Sequence, residues 1–247
     1  MTPGQVVETA ARHNCEGIAY TYNEPSIYME FARDAGRIAH EKGLFNIFVS
    51  NGYGTPEGAN VLQTFLDAIT VDFKGNLEKK FVRRYIGIPD PEPILQYLLE
   101  IRKTQIHVEF TDLIVPGVGD NLDEARKISK WIFNNFGPDA PIHFLRFHPD
   151  YRMMDFQSTP VATLEAHCGV AREEGLRYVY IGNVPGHPLE NTYCPGCGSI
   201  AIGRHGFEIT SWNLDSHNRC ASCSCQLPIT GRLGKNYSSK RFLPVIN

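Results

Sequence analysis

Two Cys-x-x-Cys pairs, Cys194-Pro-Gly-Cys197 and Cys220-Ala-Ser-Cys223, stand with residues 198–219 between them in a chain of 247 residues. Two such knuckles supply four thiolates, enough to close a tetrahedral shell around zinc, or around iron in a rubredoxin-like site. A closed shell leaves no open position, so its expected role is structural. Cys225 is a spare thiol beside the second pair, able to replace Cys223 as the fourth ligand. Cys15 and Cys168 stand alone and are given no role; packing accounts for both. Seven cysteines, odd in number and clustered, favour metal binding over a disulfide framework.

A second set of reactive residues falls at the ends of short apolar runs. These ends read Thr21-Tyr22-Asn23-Glu24-Pro25, Ser50-Asn51-Gly52-Tyr53, Asp72-Phe73-Lys74, Arg146-Phe147-His148-Pro149 and Gly182-Asn183-Val184-Pro185-Gly186. Glu24 precedes a proline that can open a helix, and a carboxylate there can hold an ammonium group. Asp72 and Lys74, two apart on a strand, point to the same side and can hold opposite charges of a ligand or pair with each other. His148 suits a ribose or base contact, or a proton transfer. Singly, each is as well explained as a turn former. Together they describe one polar face at the carboxyl ends of strands, where barrels of alternating strands and helices gather their chemistry.

The elements that must position these residues follow from periodicity. Helices are predicted over 3–16, from Pro25 to about Lys42, over 57–66, 94–103, 123–135 with Asn121 as cap, and 163–174. Strands are predicted over 18–22, 44–50, 68–74, 106–115, 142–148 and 178–182. Six alternations imply a parallel sheet. No Gly-x-Gly-x-x-Gly or Gly-x-x-x-x-Gly-Lys loop follows any strand, which favours a full or partial barrel over a nucleotide-binding open sheet. After about Pro188 the pattern gives way to a short, turn-rich, cysteine-bearing stretch. The expected organisation is a barrel over 1–188, a metal module over 189–231 and a basic tail over 232–247.

A net charge of -3 argues against nucleic-acid or membrane-surface partners. No apolar run approaches the ~20 residues of a membrane helix, and no secretory leader is visible, so the expected compartment is the cytoplasm.

The motifs carry a resemblance. Gly17-Ile-Ala-Tyr-Thr-Tyr-Asn-Glu-Pro25, Val49-Ser-Asn-Gly-Tyr53, Val71-Asp-Phe-Lys74, Leu113-Ile-Val-Pro-Gly117, Arg146-Phe-His-Pro-Asp-Tyr-Arg-Met153 and Tyr180-Ile-Gly-Asn-Val-Pro-Gly-His187 resemble the AmmeMemoRadiSam system radical SAM enzyme, a relative of pyruvate formate-lyase activating enzymes. The resemblance runs from about residue 3 to 230. It implies a partial (β/α)6 TIM-like barrel, here missing its first strand, plus a small C-terminal zinc-ribbon-like module. It also implies reductive cleavage of S-adenosylmethionine (SAM) to a 5′-deoxyadenosyl radical that abstracts hydrogen from an unknown substrate, which could be a protein. Asn23-Glu24-Pro25 resembles the Gly-Gly-Glu-Pro that holds the methionyl amino group. Ser50, Asn51, Asp72 and Lys74 resemble segments that approach the methionine carboxylate and line the cleft. His148 resembles a histidine near the nucleoside, and Thr111 and Leu113 are placed to face the adenosine.

One departure dominates. The family holds a [4Fe–4S] cluster on Cys-x-x-x-Cys-x-x-Cys, and that motif is absent here. The sequence is therefore expected to be the family minus its amino-terminal part, a fragment unable by itself to start the reaction, with a natural short protein that has lost radical chemistry as the alternative. Two rival functions stand beside this one: a non-radical enzyme using Lys74 as a Schiff base with Asp72, Glu24 or His148 as acid or base, and a non-catalytic protein whose metal module and basic tail (Arg232, Lys235, Lys240, Arg241) dock a partner.

Overall fold

The computed structural model describes residues 1–234 and Tyr237; Lys235, Lys240 and Arg241 of the expected tail lie outside the described residues. Helix α1 spans Pro3–Arg12 and opens on a capping box: Gln5 N–H donates to Thr2 Oγ1, and Thr2 N–H to Gln5 Oε1. Strand β1 is Gly17–Tyr20, followed by a 3₁₀ turn Pro25–Tyr28 and α2 over Met29–Glu41. Then come β2 (Phe45–Ser50), α3 (Pro56–Leu62), β3 (Ala68–Lys74) and the short α4 (Lys79–Phe81), which continues as a π-helical turn Val82–Ile86. Next are α5 (Glu92–Ile101), β4 (His107–Ile114), α6 (Leu122–Phe136), β5 (Ile142–Arg146), α7 (Val161–Glu173) and β6 (Val179–Gly182). The six strands form one sheet in chain order, with β1–β2, β2–β3 and β5–β6 parallel.

The six strand–helix alternations expected from the sequence are present. β3 matches its predicted span residue for residue, because its period-2 burial is unbroken: Ile69, Val71 and Phe73 are buried while Thr70, Asp72 and Lys74 are half-exposed. β1 and β5 stop sooner than predicted. Beyond β5, the Phe147 N–H turns to Thr159 Oγ1, and that buried hydroxyl in turn donates to the Ile114 carbonyl. The helical segment Lys79–Ile86 was not predicted; it buries only Phe81 and Val82, too few for an apolar stripe to show.

The chain divides into two compact units, one holding Met1–Phe73 and Leu77–Thr111, the other Lys74–Asn76 and the described residues from Asp112 onward. In the first unit Phe48 packs edge-on against Tyr20 and Phe65, and Phe73 packs at a tilt against Phe110. Buried Asn46 accepts from the Tyr20 hydroxyl and donates to the carbonyls of Gly36 and Phe65, so every arm of a costly polar side chain is met. The second unit carries a separate antiparallel sheet of β7 (Thr192–Tyr193), β8 (Ile200–His205) and β9 (Glu208–Trp212). Among the described residues no helix is long and apolar enough to cross a membrane.

Candidate functional site

The first unit brings Glu24, Ser50 and Asn51 together. β1 ends at Tyr20 and the chain turns back so that Glu24 caps the Pro25–Tyr28 turn. Glu24 Oε1 accepts from Ser26 N–H at 3.1 Å, Ser26 Oγ at 2.8 Å and Ser50 Oγ at 2.8 Å. Its Oε2 accepts from Asn51 N–H at 2.7 Å. An ionised carboxylate offers about four acceptor positions, so Oε1 is saturated and Oε2 keeps room for one more donor. The carboxylate is half-buried and fixed in direction before any ligand arrives. Tyr28, on the same turn, donates to the Thr21 carbonyl at 2.6 Å, and burial raises its phenol above the usual range.

The segment after β2 is equally constrained. Ser50 Oγ accepts from Gly52 N–H and Asn51 Oδ1 from Tyr53 N–H. Gly52 has φ +72°, and a Cβ there would lie 2.7 Å from Val71 Cγ1 and 3.1 Å from Ile94 Cγ2. Gly52→Ala is expected to destabilise the fold by about 1–3 kcal/mol, from a left-handed backbone plus overpacking; a urea-denaturation midpoint equal to that of the parent would refute it.

Asp72 and Thr111, on the half-exposed faces of β3 and β4, also meet, with the Thr111 hydroxyl donating to the Asp72 carboxylate. Lys74 lies two residues beyond Asp72 on the same half-exposed face of β3. Leu113 is half-buried two residues after Thr111. Asn23 is exposed in the loop beside Glu24, and His148 is exposed in the loop after β5. Sequence reasoning missed Ser26, the double donor to Glu24, although a serine behind Glu-Pro at a helix start is a recognisable capping signal. It also missed Glu190, a buried carboxylate that accepts from Gly186 N–H at 2.7 Å and Gly206 N–H at 3.0 Å. No local pattern marks it.

The second unit assembles the four expected cysteines. The sulfurs of Cys194, Cys197, Cys220 and Cys223 lie within 4.8 Å of one another, with Cys194–Cys223 at 3.5 Å and Cys197–Cys220 at 3.8 Å. A tetrahedral shell at a Zn–S distance of about 2.3 Å spaces its sulfurs about 3.8 Å apart, so the group has the dimensions of a single-ion site. Cys225 is outside it, turned to the Gln226 carbonyl while its own carbonyl accepts from Cys220 N–H. The Ser199 hydroxyl reaches Cys197 at 3.1 Å and Cys220 at 3.5 Å. Hydrogen bonding to Ser199 lowers the Cys197 thiol and pushes Cys220 down to about 6. Burial raises Cys194, and hydrogen bonding to Cys197 and Cys194 pushes Cys223 up to about 12, so two of the four must give up a proton to a metal.

Residues 1–132 match the Radical SAM superfamily. The chain belongs to that superfamily. A Methanocaldococcus jannaschii protein, "Uncharacterized protein MJ0808", is 45% identical over 232 residues, covering 93% of this chain and 68% of the relative. Among solved structures, a domain of pyruvate-formate lyase-activating enzyme from Bacteroides vulgatus superposes with a TM-score of 0.58 at 15% identity, over 68% of this chain and 99% of that one. Streptococcus suis SuiB bound to precursor peptide SuiA superposes with a TM-score of 0.58 at 9% identity, over 72% of this chain and 42% of that one. These two structures establish likeness of fold.

Radical SAM membership implies SAM and an iron–sulfur cluster. The Glu24 cradle fits the first: a fixed carboxylate with an open acceptor position suits an ammonium. The thiols do not fit the second. Four sulfurs within 4.8 Å suit one ion. Cys15 is exposed, and Cys168 is buried in α7, its thiol pushed up to about 12 by burial.

Proposed function

We propose that this chain is the SAM-binding barrel of a radical SAM enzyme of the AmmeMemoRadiSam type, with residues 1–188 as barrel and 189–231 as an appended zinc module. The observation that carries the proposal is the Glu24 carboxylate, locked by Ser26, Ser50 and Asn51 with one acceptor position left on Oε2. Glu24 holds the methionyl ammonium through that position. Lys74 receives the methionine carboxylate as a point charge, without the bidentate geometry an arginine would impose. Asp72, oriented by Thr111, lines the same face of β3 and β4. Asn23, Leu113 and His148 take the adenosine-side roles that the resemblance assigns them. Bound and reduced, SAM supplies a radical that abstracts hydrogen. SuiB is bound to a precursor peptide in its structure, which supports a peptide or protein as the substrate class.

Equilibrium dialysis tests the reading. SAM is expected to be retained by the chain, and 5′-deoxyadenosine, which lacks the methionyl group, at least about tenfold more weakly, since a charge-assisted contact contributes about 1.5–3 kcal/mol. Equal retention of the two would contradict it. A second expectation follows from the thiol geometry. Anaerobic reconstitution of this chain with iron and sulfide yields no [4Fe–4S] absorption and no 5′-deoxyadenosine; detection of that product would contradict the assignment.

A further inference from the structure

Beyond Lys74 the backbone does something unusual. Gly75, Asn76 and Leu77 follow one another at φ of 62°, 58° and 53°. Glycine adopts that region freely and asparagine tolerates it, but a leucine there is disfavoured by roughly 1–2 kcal/mol. Such a run persists only where the surroundings over-determine it.

Here three elements do so, and all of them act on Asn76. Its N–H donates to Asp112 Oδ1 on β4 at 3.1 Å. Its Nδ2 donates to the carbonyl of Asn121, the cap of α6, at 3.2 Å and lies 3.4 Å from His167 Nε2 on α7. The His167 Nδ1 is 2.7 Å from the Thr163 carbonyl, so Nδ1 carries the proton and Nε2 accepts from Asn76. Asn76 is 3% exposed, and Asp112 and His167 are fully buried. Burial also lowers the His167 pKa, which keeps the ring neutral and the acceptor in place. Three polar side chains buried together carry a large desolvation penalty. What they fix is one backbone segment, beginning at the residue after the last residue of β3.

We propose that Asn76 is a positioning residue for Lys74: by locking the left-handed turn Gly75–Leu77 against β4, α6 and α7, it sets the direction in which the Lys74 stem leaves the strand. The inference rests on the proposed role of Lys74 toward the methionine carboxylate and adds the device that aims it. Lysine is a flexible four-carbon stem with a point charge, so the backbone beneath it is one of the constraints on where that charge sits.

The test uses Asn76→Gly, which keeps the positive φ but removes the Nδ2 hydrogen bonds, and Lys74→Met, which keeps the stem but removes the charge. SAM affinity is measured by equilibrium dialysis for the parent, both single variants and the double variant. In parallel, competitive acylation with mass-spectrometric readout compares Lys74 with exposed Lys42. Asn76→Gly is expected to weaken SAM binding about tenfold, with the double variant no weaker than Lys74→Met alone, as for neighbours acting through one contact. Lys74 acylation should change at least about threefold and Lys42 not at all, the pattern of a local coupling. Losses that multiply in the double variant, or unchanged Lys74 acylation in a folded Asn76→Gly, would overturn the inference. Should Asn76→Gly fail to fold, His167→Met removes the acceptor alone, and the same acylation change is expected. A parent chain that binds no SAM would contradict the proposed function, while the acylation arm still decides the role of Asn76.

Discussion

Cys194→Ser is expected to release the ribbon metal and unfold β7–β9 while leaving the parallel strands folded. The reason lies in how little else holds the ribbon. Its own core consists of Cys194, Ala201, Cys220 and Leu227, with Leu214, Cys225 and Ile229 packed around them. Two of the four buried members are the metal-binding thiols themselves. Modules of this size depend on a metal because their apolar burial is small, and structural zinc contributes about 10–16 kcal/mol of apparent binding free energy at neutral pH. Removing one thiolate therefore removes most of what orders the segment. Hydrogen exchange reads the outcome directly: amides of Ile200–His205 and Glu208–Trp212 should lose protection, and those of Ile142–Arg146 should keep it. Metal analysis of the parent should give one ion per chain, and zinc is the ion we propose. Cys225→Ser should retain it, because the Cys225 sulfur lies outside the four-sulfur group and meets the Gln226 carbonyl. Metal retained by Cys194→Ser but lost by Cys225→Ser would reverse the ligand assignment. Loading should weaken steadily as pH falls, because protons compete with the metal for the four thiolates.

Glu24→Ala is expected to weaken SAM binding about a hundredfold, the larger of the two effects available at that position. Two losses combine in it. The ammonium loses its charge-assisted partner, which contributes about 1.5–3 kcal/mol. The donors of Ser26, Ser50 and Asn51 also lose their common acceptor, so the loops after β1 and β2 are no longer tied to each other. Glu24→Gln separates the two. Its amide oxygen can stay on the Ser26 and Ser50 donors, but its NH₂ must face either Asn51 N–H or the ligand's ammonium, and both are donors. Calorimetric titration of the two variants is the measurement. Affinity within a factor of about two of the parent for both would show that Glu24 only caps the Pro25–Tyr28 turn, the modest role typical of a cap.

The parallel sheet was legible because its signal is local. Ile69, Val71 and Phe73 alternate with polar neighbours, and Pro25, Gly43 and Gly175 punctuate the helices. The two cysteine pairs were legible for the same reason, since each knuckle is complete within four residues. Glu24, Ser50 and Asn51 could be picked out singly, but their hydrogen bonds join residues 26 and 27 apart, a closure no local pattern records. The Asn76 turn was less visible still. Gly75-Asn76 reads as an ordinary turn, whereas the partners that strain and hold it lie 36, 45 and 91 residues away. The segment Lys79–Ile86 escaped because four of its eight residues are cations and only Phe81 and Val82 are buried. In each case the missing information is tertiary: which distant backbone or side chain satisfies a buried polar group.

Glu24 is proposed to hold the ammonium of a bound S-adenosylmethionine. That role is tested most directly by titrating the parent chain and Glu24→Gln with both SAM and its analogue lacking the amino group. Glu24→Gln is expected to weaken SAM at least about tenfold and the analogue by no more than about twofold, because only SAM brings an ammonium to the carboxylate. An equal loss for both ligands, or none for either, would contradict it.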